Sequence, residues 1–98
     1  MMSVVPINLD KIAKKDLDRQ VLRVAIIAEL DAVSLYEQMA SMTANKNIQR
    51  VLLDIAKEEK THVGEFQALL LEDDDEQQKE MVEGRREVMV KIHKGKGR

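Results

Sequence analysis

Residues 48–71 read IQRVLLDIAKEEKTHVGEFQALLL, a stretch with no proline and a single internal glycine, Gly64. Val51, Leu52, Ile55, Ala56, Val63, Phe66, Leu69 and Leu70 recur at spacings of three and four, which marks one amphipathic helix. Two polar residues sit on the apolar side of that helix. Glu59 shares a face with Leu52, Ile55, Ala56, Val63 and Phe66, and His62 follows it by three residues. A carboxylate and an imidazole at i and i+3 project to one side of a helix and reach a common point. Burying either without compensation costs several kcal/mol, so the pattern calls for a compensating group.

The stretch before it has the same character. From Leu17 to Met42 apolar residues fall at Leu17, Val21, Leu22, Val24, Ala25, Ala28, Ala32, Leu35, Tyr36 and Met39, again at helical spacing. With no breaker upstream until Pro6, the first helix is expected over 9–42, after an irregular arm at 1–8. Thr43-Ala44-Asn45-Lys46-Asn47 interrupts the pattern with cap-forming residues, and Asn45 or Asn47 is a suitable N-cap for the next helix. So short a link predicts two antiparallel neighbours. Gly64 costs its helix roughly 1 kcal/mol against alanine, which predicts a close helix crossing there.

Glu29 carries the same conflict as Glu59, lying on a face with Leu22, Ala25, Ala32, Val33 and Tyr36. Height along the hairpin then brings the two faces together. With the turn near residues 44 and 45, Glu29 lies about sixteen residues back, and Glu59 and His62 about fifteen and eighteen forward. At ~1.5 Å of rise per residue, both sites stand roughly 24 Å from the turn. One hairpin thus offers two carboxylates and one imidazole in a single layer, donors suited to iron, manganese or zinc rather than copper or calcium.

The rest of the chain narrows the possibilities. Ninety-eight residues make one domain, and cysteine is absent, so disulfides, thiolate metal sites and thiol chemistry are excluded. The composition is 44% hydrophobic but 2% aromatic, a helical rather than a sandwich palette. Sixteen basic and eighteen acidic residues leave a net charge of −2, which gives no reason to expect nucleic acid or an anionic membrane as partner. No apolar run reaches the ~20 residues of a membrane span, and the N-terminus lacks a basic-then-apolar leader, so a soluble cytoplasmic all-α chain is expected. Glu72-Asp73-Asp74-Asp75-Glu76 reads as a helix boundary, with Asp75 and Gln78 spaced as a capping box. A third helix is expected over 76–93, followed by a mobile tail at 94–98. The six methionines read as packing material, Glu58 and Glu65 as solvated neighbours of the apolar face, and His93 carries no assignment.

Three donors are few for a redox metal, and two helices cannot enclose a core. Pairing two chains about a two-fold axis through the Glu29 layer answers both deficits. The hairpins then form a four-helix bundle holding two copies each of Glu29, Glu59 and His62. One Glu from each of two helices, with Glu-x-x-His from each of the other two, is the ligand set of di-iron carboxylate bundles.

The run LDIAKEEKTHVGEF (53–66) resembles the metal-binding helix of the ferritin-like and rubrerythrin superfamily. LRVAIIAELDAVSLYEQMA (22–40) resembles the first helix of encapsulated ferritins, short ferritin-like proteins held inside, or fused to the shell protein of, encapsulin nanocompartments. The resemblance implies a hairpin that dimerises into a ferritin-like four-helix bundle, further assembly into a ring such as a decamer, and a di-iron centre. It also implies ferroxidase activity, in which Fe(II) is oxidised by oxygen or peroxide for storage or detoxification inside the shell. Glu29 matches the first-helix ligand, Glu59 and His62 the second-helix pair, and Tyr36 the tyrosine near the centre; Asp31 matches an acidic residue beside the iron access path. Ala28 stands where some members have a second acidic access residue, and Leu35 where they have tryptophan. Thr61 and Gln38 are candidates to hydrogen-bond the ligands. Two other functions fit the residues less fully. One is a non-catalytic helical oligomerisation or cargo module with a structural metal. The other is a rubrerythrin-like peroxide reductase, which normally carries a cysteine-ligated iron that this cysteine-free chain cannot build.

Overall fold

The computed structural model describes residues 13–96. A short 3-10 turn at Lys14–Asp16 leads into α1 (Leu17–Met42), followed by α2 (Lys46–Asp73) and α3 (Asp75–Lys96). The described residues contain no strand. The arm expected at 1–8, the start of the first helix at 9–12 and the last two residues lie outside the described part; at 13–16, also expected to be helix, the chain is not yet α-helical, and α1 begins only after the 3-10 turn. Lys94, Gly95 and Lys96, expected in the tail, continue α3 instead.

The link between α1 and α2 is short because side chains satisfy the exposed amides. Asn45 Oδ1 accepts from the backbone N–H groups of Asn47 and Ile48 at 3.0 and 3.1 Å, so Asn45 rather than Asn47 is the cap. Thr43 Oγ1 accepts from the Asn45 N–H at 3.2 Å, and Gln49 Nε2 donates to the Thr43 carbonyl at 2.6 Å. The chain therefore reverses at once, and α1 and α2 lie side by side over their length.

Between them runs a narrow seam. Val33 and Ala40 of α1 and Ala56 and Leu70 of α2 are the buried apolar residues among those described, two turns apart on α1 and four on α2. Much of the remaining apolar stripe is uncovered: Val21, Leu30, Leu35, Val51 and Leu69 are exposed on the hairpin, and Val82, Val88, Met89, Val90 and Ile92 on α3. The chain presents 7844 Å² to solvent, against about 5,700 Å² for a compact monomer of its mass. Its radius of gyration is 17.5 Å, where about 13 Å would be compact. One chain alone does not close a core.

At the α2–α3 junction a single extended residue, Asp74 (φ −127°, ψ 91°), separates two long helices. The cap falls one residue before the expected Asp75–Gln78 box: Asp74 Oδ1 accepts from the Gln77 N–H at 3.0 Å. Asp74 takes that place because its other oxygen meets Arg23 Nη2 at 2.6 Å, a partner on α1 that no local spacing reveals. Arg19 Nε pairs with Asp73 beside it at 3.3 Å. No described helix of the same chain crosses closely at Gly64, since a methyl group built there meets nothing within 4 Å. Among the described residues, no helix is long and apolar enough to cross a membrane.

Candidate metal centre

α1 and α2 meet at the level where sequence height puts their polar residues. Glu29 of α1 and Glu59 and His62 of α2 each bring one ligand atom within 4.8 Å of the others. The helical rise is fixed, so a tight turn of known position fixes which residues face each other. His62 Nδ1 lies 3.3 Å from Glu59 Oε2 and 3.5 Å from Glu29 Oε2. With its proton on Nδ1, the imidazole donates to Glu59 Oε2 and only approaches Glu29 Oε2.

That arrangement leaves the site under-satisfied. Glu29 Oε2 is buried and receives no hydrogen bond. A buried carboxylate oxygen without a donor is costly, and two carboxylates held around one imidazole carry more negative charge than it can offset. Lys60, the nearest lysine in sequence, is engaged with Glu37 at 3.4 Å. The donor set is two hard oxygens and one borderline nitrogen, with no thiolate, and it fits a divalent transition metal such as iron. The glutamates are about one-fifth exposed, whereas the His62 side chain is 44% exposed. The cluster therefore lies at the edge of the hairpin rather than sealed within it. A cleft of about 480 Å³ opens beside it, lined by Glu29, His62, Glu65, Phe66 and Leu69.

The other residues singled out by sequence are not in this group. Tyr36 is half-buried on α1, seven residues from Glu29 or about 10 Å along the axis. Asp31 is half-buried on α1, outside the triad. Thr61 and Gln38 are both exposed; Thr61 precedes His62 by one residue, which turns it about 100° off the ligand face. Glu65 is exposed, as its off-face position predicts, yet it lines the cleft. The signal for that was its i+3 spacing from His62.

The Rubrerythrin family matches residues 20–94 of the chain. The ferritin-like–encapsulin shell fusion protein of Pyrococcus furiosus is 53% identical over 90 residues, covering 90% of this chain and 26% of that protein. The chain thus spans about a quarter of that relative's length. The crystal structure of the encapsulated ferritin domain from Pyrococcus furiosus superposes with a TM-score of 0.76 at 52% identity, covering 90% of this chain and 92% of that one. Matched over most of its length in both sequence and fold, the chain belongs to the rubrerythrin family and has the ferritin-like helical fold.

Proposed function

We propose that this chain is a ferroxidase subunit whose iron site is completed by a second copy. The observation that carries the reading is the unsatisfied Glu29 oxygen, held with Glu59 and His62 at the open edge of the hairpin. Two hairpins related by a two-fold axis through this layer would supply four carboxylates and two imidazoles, enough for two irons. The same pairing would cover apolar surface that the lone chain exposes, including Leu69 and Val51. The excess of about 2,100 Å² over a compact monomer, taken on both chains of a pair, falls in the range that obligate interfaces remove.

Fe(II) is the substrate in this reading. The carboxylates of Glu29 and Glu59 attract and neutralise it, and His62 in its Nε2–H tautomer offers Nδ1 as the third ligand. Two Fe(II) give up one electron each. Dioxygen takes up those two electrons and two protons to leave as hydrogen peroxide, or peroxide takes them up to leave as two waters. Tyr36 stands near the centre rather than in it, and Asp31 is assigned to the access path. The Pyrococcus furiosus relative is a fusion with an encapsulin shell protein, and we extend that association to this chain, with the oxidised iron stored inside such a shell.

Glu59→Ala and His62→Ala should each abolish stoichiometric Fe(II) binding and iron-dependent oxygen uptake. Full turnover in either variant would overturn the assignment. Molar mass with and without iron, measured beside an oxygen electrode, separates this reading from a purely structural metal, which would hold the oligomer together without consuming oxygen.

A further inference from the structure

The α2–α3 junction poses a separate question. A one-residue link with extended backbone leaves the direction of the next helix open unless something else sets it. α3 has little packing to set it with: beyond Met81 its apolar residues are exposed, and most helix contact lies between α1 and α2. Yet Asp74 is the buried charged residue among the described ones, at 4% exposure, in a chain that buries few residues of any kind. Its partner Arg23 is 40% exposed, so the pair is buried on the carboxylate side alone. The best-attested use of such a pair is to fix one arrangement among several rather than to add net stability.

From these observations we infer that the Arg23–Asp74 pair is a latch that sets the angle at which α3 leaves the hairpin. One carboxylate serves both helices. Oδ1 holds the first turn of α3 through the Gln77 N–H, and Oδ2 holds α1 through Arg23 at 2.6 Å. The Asp74 backbone completes the clamp, its N–H donating to the Leu70 carbonyl of α2 and its carbonyl accepting from the Gln78 N–H of α3. A cap alone would start α3 without aiming it. The link to Arg23, 51 residues away in sequence, gives the helix a direction, because Arg23 belongs to the hairpin. The Arg19–Asp73 pair flanks it in a more exposed setting and contributes less. This inference does not depend on iron binding.

Because the chain has no cysteine, paired spin labels can be placed at will. Labels at Ser41 and Glu87, both exposed, report α3 against the hairpin, and labels at Ser41 and Ala68 report the hairpin itself. The labelled full-length chain is diluted with unlabelled chain so that only distances within one molecule are read. In the parent protein both pairs should give a single narrow distance. Asp74→Asn keeps a good helix cap but loses the charge. It should broaden the Ser41–Glu87 distribution, leave Ser41–Ala68 narrow and leave helical circular dichroism unchanged. Arg23→Gln should do the same, and Arg23→Lys should restore part of the narrow distance. A narrow Ser41–Glu87 distance in both neutral variants would overturn the inference. So would equal broadening of both pairs, which would mark the residues as general structural supports. If Asp74→Asn does not fold, the Arg23 variants decide by the same criteria.

Discussion

Two carboxylate sites lie on this hairpin within two turns of α1, and they are built in opposite ways. Asp74 is the more buried, yet each of its oxygens has a donor: the Gln77 N–H on one and Arg23 on the other. Glu29 and Glu59 are less buried, share one imidazole between them, and leave Glu29 Oε2 with no donor. A carboxylate whose partners all come from its own chain is complete as folded. One that is enclosed without enough donors keeps an oxygen free to accept from outside the chain. The contrast shows that burial alone does not set the two sites apart, whereas the missing donor does.

The largest effect should come from removing the ligand charge that the chain leaves unsatisfied. Glu29→Gln is expected to lower Fe(II) affinity by at least about 100-fold, since losing even a supporting hydrogen bond to a ligand typically costs 10–100-fold. The metal-free protein should be no less stable, because a buried oxygen without a donor is removed. Isothermal titration with iron under anaerobic conditions and urea unfolding in chelator test the two halves. A clear loss of metal-free stability would erase the distinction between the sites.

The next effect belongs to Asp74. The Gln77 N–H, with the Arg19 and Arg23 charges, holds its carboxyl below the usual carboxylate range despite burial. A carboxyl lowered in the folded state stabilises the fold fully above the unfolded pKa of about 3.9, and that contribution is lost as pH falls below it. Thermal midpoints at constant chain concentration should therefore fall on acidification below about pH 4, and Asp74→Asn should flatten that limb. An unchanged acid limb in the variant would remove Asp74 as its source. Glu83, lowered by its bond to Arg86, is on the surface and should contribute little there.

A neutral cap provides the reference for both. Asn45→Ala leaves the Asn47 and Ile48 amides without their side-chain acceptor and should cost about 1 kcal/mol in urea unfolding, at no cost to iron affinity. Smallest is Gly64→Ala, where open space surrounds the new methyl group. It should gain about 0.5–1 kcal/mol. A loss instead would show that another chain approaches closely at that point, as the expected helix crossing requires.

The meeting of Glu29, Glu59 and His62 was legible because it rests on quantities a helix holds constant. Glu59 and His62 share a face through the i, i+3 relation, and Glu29 meets them because a tight turn converts residue count into height. Asn45 was legible as one of two caps, and hydrogen-bond geometry chose between them. The α3 cap was misplaced by one residue because its choice depends on Arg23, far away in the chain. Gly64 meets no described helix of its own chain, because a glycine in a helix does not state locally which element, if any, approaches it.

Taken alone, the order of residues determined the helices, their antiparallel pairing and the height of the polar layer, because periodicity, capping and axial rise are local properties of the backbone. Only the tertiary structure decided which buried acids are satisfied, where α3 is pinned and how much apolar surface stays open. Those depend on contacts between residues distant in the chain, whose distances and donors exist only once the helices have crossed.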